Sequence, residues 1–215
     1  METVLMSVSP LNCVVLVPAY GHVEPECERA LQILHQRGYT VRKVRGIAAI
    51  DQGRSQMATD MLAEGFDEIM WVDSDVGFNP DDVDRLRNHN LPIVAGLYPK
   101  KGERTMAVNF LPDTRQLVFG SRGGLIEVMY VGFGFVHTRR EVFDKCRVRC
   151  NLPLCNTMFD RPIVSYFLPM LHSTEKGCWY LGEDYAFCER VRQTGFAVYA
   201  DTSVRLWHVG SYKYG

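Results

Sequence analysis

The sequence predicts an α/β protein: a Rossmann-like open mixed sheet flanked by helices, with a small antiparallel addition. Three observations lead there. Continuous apolar runs such as "CVVLVPA" read as strands buried on both faces, and the segments between them carry apolar residues at helical spacing. Beyond about residue 100 the texture shifts to short strands separated by Gly, Pro, Asp and Arg turns.

From Asn12, "NCVVLVPAY" is an apolar run interrupted only near its end by proline, and reads as a strand of a largely parallel sheet. "EPECERALQILHQRG" follows as a helix, with Ala30, Leu31 and Leu34 on one face, Pro25 near its start and Gly38 as its stop. "TVRKV" is a second strand, and a second helix is expected from about Gly53 to Glu64, turning Met57, Met61 and Leu62 inward. "EIMWVD" is the third strand and "PDDVDRLRN" the third helix. Open α/β sheets bind ligands beyond the carboxyl ends of their strands, so Pro18 to Tyr20, Gly46 to Gly53 and Asp73 to Asp75 should converge.

After "LPIVAGLYPKK" the expected strands are "MAVNF", "QLVFG" and "LIEVMYVGFGF", then a helix at about Arg139 to Lys145. Arg147 to Gly177 contains Pro153, Pro162 and Pro169 and little periodicity, and reads as an irregular substrate-side loop. "GEDYAFCERVRQTGFAVYAD" gives a helix with Phe187 and Val191 inward, a stop at Gly195 and a last strand. No repeat, low-complexity tract or linker marks a boundary, so one domain over 1–215 is expected.

With 215 residues, 47% hydrophobic and 23% charged, the chain has the proportions of a globular protein with one substantial core. A formal net charge of −1 provides no basic field for nucleic acid, so no such partner is expected and an anionic ligand must be met locally. No apolar run reaches the roughly 18 residues of a membrane span, and "METVLMSVSP" lacks the basic and apolar regions of a leader. Seven cysteines without CxxC spacing point to reduced thiols, which with the missing span predicts a cytoplasmic location. Cys146, Cys150 and Cys155 crowd one stretch and, with Cys178, would offer four thiolates, but their spacing matches no zinc finger and free thiols are expected.

"WVDSD" sets Asp73 and Asp75 either side of Ser74 at the end of a strand. Two carboxylates repel each other and are expensive to desolvate, so the pair is either solvated turn chemistry or half of a site for a hard divalent cation. In the second case Asp75 is the expected direct ligand, while Asp73 assists through water or binds a ribose hydroxyl. "LGEDYAF" places Glu183 and Asp184 at a helix start, where they either cap it or supply a general base. His208 in "LWHVG" is a structural histidine or the nitrogen of a mixed metal shell. Arg54, just past "AIDQG", faces solvent or an anion beside the helix N-terminus. Lys100 and Lys101 are further cations for phosphate, while Lys213, between Tyr212 and Tyr214, belongs to an exposed tail or folds over bound phosphate, the tail being the favoured reading. Gly132 and Gly134 in "VGFGF" admit a sugar close to the backbone or mark a bulge.

Taken in order, "VVLVPAY", "WVDSDVGF", "VGFGFVHTRREVF", "GEDYAFCERVRQTGF" and "LWHVG" resemble nucleotide-sugar glycosyltransferases of the GT-A fold, particularly small bacterial and viral members similar to family 2. The likeness covers about residues 12–100 and 130–210. It implies a GT-A type fold with a nucleotide-sugar-binding half (about 12–100) and an acceptor-side half (about 101–215). The implied activity is metal-dependent transfer, of hexosyltransferase type, from a UDP- or GDP-sugar to a hydroxyl of a glycan, glycolipid or protein. The resemblance puts Pro18, Ala19 and Tyr20 near the base, and Asp51 or Arg54 near the base or diphosphate. It makes Asp73, Ser74 and Asp75 the motif for donor and Mn²⁺ or Mg²⁺, joined by His208, and Glu183 and Asp184 the acceptor-side acids, with Asp184 as base. No Q-x-x-R-W follows the acidic helix, which disfavours a processive polysaccharide synthase. The alternatives are a sugar-nucleotide nucleotidyltransferase, although "VPAYGHVEPE" is neither Gly-rich nor basic, and a non-catalytic carbohydrate-binding protein whose acids only cap helices.

Overall fold

The computed structural model describes residues 9–102 and 105–210, and the backbone of 213–214. The first half runs β1 (Cys13–Ala19), α1 (Pro25–Gln36), β2 (Thr40–Arg45), α2 (Ile50–Ala63), β3 (Glu68–Val72), β4 (Val76–Gly77), α3 (Asp81–Asn88) and β5 (Ile93–Gly96). Then come β6 (Val108–Phe110), β7 (Leu125–Val131), β8 (Phe135–Arg139), α4 (Arg140–Arg149), β9 (Leu154–Cys155), β10 (Ile163–Val164), β11 (Met170–Thr174) and β12 (Gly177–Leu181). The chain continues through α5 (Glu183–Gln193), β13 (Val198–Asp201), β14 (Trp207–Val209) and β15 (Lys213–Tyr214).

A large mixed sheet of order β2-β1-β3-β8-β5-β13-β7-β6 organises the molecule. β1 is parallel to β2 and β3, and β5 to β13, while β8 is antiparallel to both its neighbours, β3 and β5. The mixed α/β architecture is the expected one, with antiparallel pairing at its β7–β6 edge and in the separate β15-β14-β4 ribbon, and also in the middle of the sheet, where β8 lies. "LIEVMYVGFGF" is two strands because the ladder breaks at Gly132–Gly134. There the Gly132 N–H turns to the Ala107 carbonyl at 2.7 Å, and the Gly134 carbonyl accepts from the Asp73 N–H at 2.9 Å.

Helices cover both faces. Val14 and Leu16 of β1 pack in a core with Met57 and Ala58 of α2, Phe143 of α4 and Phe187 of α5. Cys13, Val15 and Val17 face the opposite core, with Cys27, Leu31 and Leu34 of α1 and Val83 and Leu86 of α3. A strand covered on both sides needs apolar residues in both registers, which is why β1 is a continuous run. Each fully buried aliphatic side chain contributes roughly 1.5–3 kcal/mol.

Several local expectations are corrected. α2 begins at Ile50 rather than about Gly53, so Asp51 sits in its first turn. "QLVFG" forms no strand, and only Val108–Phe110 of "MAVNF" does. The 147–177 stretch is not irregular throughout: α4 runs on to Arg149, and β9 pairs with β10 and β11 with β12 as short hairpins. Side chains of α2 hold this stretch, Thr59 Oγ1 accepting from Val164 N–H and Ser55 Oγ from Phe167 N–H, both at 3.0 Å. Such long-range partners leave no periodic trace in the sequence.

His208 lies within β14, paired antiparallel with β4 so that it stands opposite Val76. β15 extends that ribbon, but Tyr212 and the side chains of Lys213 and Tyr214 lie outside the described residues. Among the described residues, no helix is long and apolar enough to cross a membrane. All the cysteines are free thiols, with Cys146 buried and Cys178 exposed.

Candidate active site

β3 ends in the fully buried Trp71 and Val72, and the chain leaves the core at Asp73. The backbone of the next three residues is strapped from distant segments. Asp73 N–H donates to Gly134 O at 2.9 Å, Ser74 O accepts from Glu24 N–H at 2.8 Å, and Asp75 O accepts from Val209 N–H at 2.7 Å. The three carbonyls and the Asp73 N–H are all paired, and the two carboxylates are held in place with different partners.

Asp73 Oδ1 accepts from Arg54 Nη2 at 2.7 Å, and Arg54 Nε stands 3.8 Å from Glu183 Oε1. Arg54 is only 2% exposed, and its guanidinium lies 5.6 Å from the Trp71 ring and 5.8 Å from the Phe133 ring. Burial works against its charge, but Asp73 and then Glu183 outweigh it and the pKa rises. Arg54 Nε and Nη1 have no hydrogen-bond partner. A solvent-facing arginine is therefore ruled out: Arg54 joins the end of β3 to the first turn of α5, with two of its nitrogens not hydrogen-bonded.

In that first turn, Asp184 Oδ1 accepts from the Tyr185 N–H at 2.7 Å. Burial, and then the neighbouring Glu183 charge, push the Asp184 carboxyl up to about 6. A carboxylate tuned towards neutrality is suited to accepting a proton at physiological pH.

Asp75 belongs to a second cluster. Its Oδ2 pairs with Lys101 Nζ, and its Oδ1 lies 3.3 Å from His208 Nε2. Burial would raise the Asp75 pKa, but the contacts with His208 and Lys101 prevail and hold it below the ordinary value. The other ring nitrogen, His208 Nδ1, donates to the Pro99 carbonyl at 3.1 Å. With that proton committed, Nε2 confronts the carboxylate with a lone pair unless a proton or a metal cation lies between them. Tyr98 packs edge-on against the His208 ring at 5.4 Å, and its hydroxyl accepts from the Gly134 N–H at 3.0 Å.

Tyr98 also explains the two glycines of "VGFGF". A Cβ on Gly132 would come within 2.6 Å of the Tyr98 hydroxyl, and one on Gly134 within 2.6 Å of Tyr98 Cζ. They make room for the Tyr98 side chain. Gly134→Ala is expected to cost about 1–3 kcal/mol through overpacking, a Tm fall of roughly 2–12 °C by calorimetry. Gly77 has the same role for Trp207, whose indole would lie 2.0 Å from an added Cβ and whose Nε1–H donates to Glu26.

The remaining predicted positions make other contacts. Ala19 O accepts from Ile47 N–H at 3.3 Å and Tyr20 O from Gly46 N–H at 3.2 Å, so the end of β1 meets the loop before α2, two of the three segments expected to converge. The Tyr20 side chain is 82% exposed. Asp51 lines a cavity of about 580 Å³ between the start of α2 and the 155–168 segment, along with Gln56, Asn156 and Ser165. Arg54 is not part of its wall. Among the described residues, no three His, Cys, Asp or Glu side chains converge to hold an ion by themselves. Sequence reasoning missed Tyr98; the only signal was the pair of glycines, which needed a large partner.

No family model matches this chain, and no curated protein matches it. Among solved structures it is similar to A197 from STIV, with 21% identity over 93% of this chain and 86% of that one, at a TM-score of 0.58. That is a likeness of fold. Fainter likenesses are to a glycosyltransferase involved in the glycosylation of the major capsid of PBCV-1 (10% identity, 61% of this chain and 62% of that one, TM-score 0.34) and to the inositol-1-phosphate CTP transferase from T. maritima (11%, 92% and 70%, 0.37). At those scores neither carries its activity over.

Proposed function

We propose that this chain is a nucleotide-sugar glycosyltransferase that holds a divalent cation on Asp75 and His208 and uses Asp184 as its general base. The observation that carries the reading is the 3.3 Å approach of His208 Nε2 to Asp75, with Nδ1 committed to the Pro99 carbonyl. Carboxylate and imidazole donors suit Mn²⁺ or Mg²⁺, and a cation with two protein ligands leaves positions for donor phosphates and water. When bound, it would neutralise charge on the departing nucleoside diphosphate.

The residues of the chain divide the remaining work. Pro18, Ala19, Tyr20 and Asp51 frame the nucleotide, and Ser74 spaces the two acids. Asp73, held by the buried Arg54 and beside Glu183, offers its carboxylate to donor hydroxyls. Asp184 takes the proton of the acceptor hydroxyl as its oxygen attacks the anomeric carbon, and a single displacement of this kind inverts configuration. The donor is a UDP- or GDP-sugar, and the acceptor a hydroxyl on a glycan, glycolipid or protein.

Calorimetric titration with Mn²⁺ in the presence of UDP or GDP tests the site. Asp75→Ala and His208→Ala are expected to weaken binding by at least roughly 10–100-fold. Unchanged affinity in both variants removes them as ligands. If neither nucleotide shifts the melting temperature of the wild-type chain, with or without Mn²⁺, the transferase reading itself fails.

A further inference from the structure

We propose that Lys101 is the resident counter-ion of the cation site: its ammonium must leave Asp75 before a divalent cation binds there, and once released it pairs with the phosphates of the donor. This rests on the metal-dependent reading above.

The two acids of the motif have partners of opposite kinds. Asp73 is tied to Arg54, whose side chain is 3% exposed between two aromatic rings, so that partner is permanent. Asp75 is tied to Lys101, and in this pair the side chains are 41% and 30% exposed, lysine first. An ion pair open to water separates cheaply, because neither charge is stranded in the interior when it opens. His208 approaches one carboxylate oxygen of Asp75 and Lys101 takes the other, so both oxygens are engaged. A divalent cation arriving at Asp75 meets like charge at short range, and the ammonium is the group free to move.

The backbone around Lys101 limits where it can go. Pro99 accepts from His208, Lys100 N–H donates to Thr105 O at 2.8 Å, and Pro99 bridges to Met106, so the base of this hairpin is pinned to the cation site. Lys101 lies beyond that base, on a flexible four-carbon stem. It moves away from Asp75 without leaving the neighbourhood. A nucleoside diphosphate bound through the cation brings new negative charge to that place, and a released ammonium is the chemistry that meets it.

Titration of Lys101→Met with Mn²⁺ alone and with UDP, or with GDP if that nucleotide stabilises the wild type better, tests both halves. In the absence of nucleotide the variant is expected to bind Mn²⁺ about 3–10-fold more tightly than wild type, and at saturating Mn²⁺ to bind the nucleotide about 3–10-fold more weakly. Lys101→Arg, which keeps the charge, should restore both directions. Mn²⁺ affinity that is unchanged or weaker in Lys101→Met overturns the proposal, as does undiminished nucleotide affinity. These outcomes separate from failure of the metal reading, in which wild type binds no Mn²⁺ under either condition.

Discussion

Asp184→Asn is expected to lower the rate of sugar transfer by roughly 10²–10⁴-fold, the usual contribution of a positioned general base, while Mn²⁺ and nucleotide binding remain. The amide keeps the oxygen that accepts from the Tyr185 N–H but has no affinity for the acceptor's proton. The wild-type rate should depend on pH in a defined sense. Burial and Glu183 hold the Asp184 carboxyl at about 6, so the proton-accepting form grows as pH rises through that value and the rate rises with it to a plateau. The residual rate of Asp184→Asn should lack that limb. Full transfer by the variant, or an unaltered limb, removes Asp184 as the base.

The same shift predicts a gain in stability. A carboxyl whose folded pKa lies above its unfolded value favours the fold most below the unfolded pKa, near 4, and loses that contribution as pH rises through about 6. Above pH 6 the native protein therefore holds an ion it would rather protonate. Asp184→Asn removes it and should raise stability at pH 7–8 by on the order of 2–3 kcal/mol, with little gain at pH 4, when thermal unfolding is compared at the two pH values.

Arg54→Leu is expected to destabilise the protein by about 3–5 kcal/mol, because it leaves Asp73 and Glu183 without their buried counter-ion. The corresponding fall in Tm is roughly 6–20 °C. Arg54→Lys keeps a charge near both acids but gives up the planar guanidinium that lies by Trp71 and Phe133, so part of the stability should return. The Arg54 charge also favours ionisation of Asp184. In Arg54→Gln, the rising limb of the pH–rate profile should therefore move to higher pH, whereas in Arg54→Lys it should stay near that of wild type. If Arg54→Leu melts with the wild type, the guanidinium is not the counter-ion of this cluster.

Much of the scaffold was legible in the chain because it is local. β1, β2, β3 and the helices between them announce themselves by apolar runs, 3.6-residue spacing and glycine stops, and their boundaries move by only a few residues. The later half was harder to read for a physical reason. β8 is antiparallel and central because it is shared by β3 and β5, and the 147–177 stretch is held by hydroxyls of α2. Neither relation is written into periodicity. Gly132 and Gly134 were visible as anomalies, but the tyrosine they accommodate lies more than thirty residues earlier and was not.

By itself the sequence determined the order of the early elements, the two-sided burial of β1 and the placing of acids where a strand ends and a helix begins. Only the tertiary structure decided what each acid meets. It gave Asp73 a buried arginine, Asp75 an exposed lysine and a histidine from the last part of the chain, and Asp184 a desolvated setting beside Glu183. The reason is that strand and helix formation follow local spacing, whereas the charge state and partner of a carboxylate depend on burial and on neighbours brought together from distant segments.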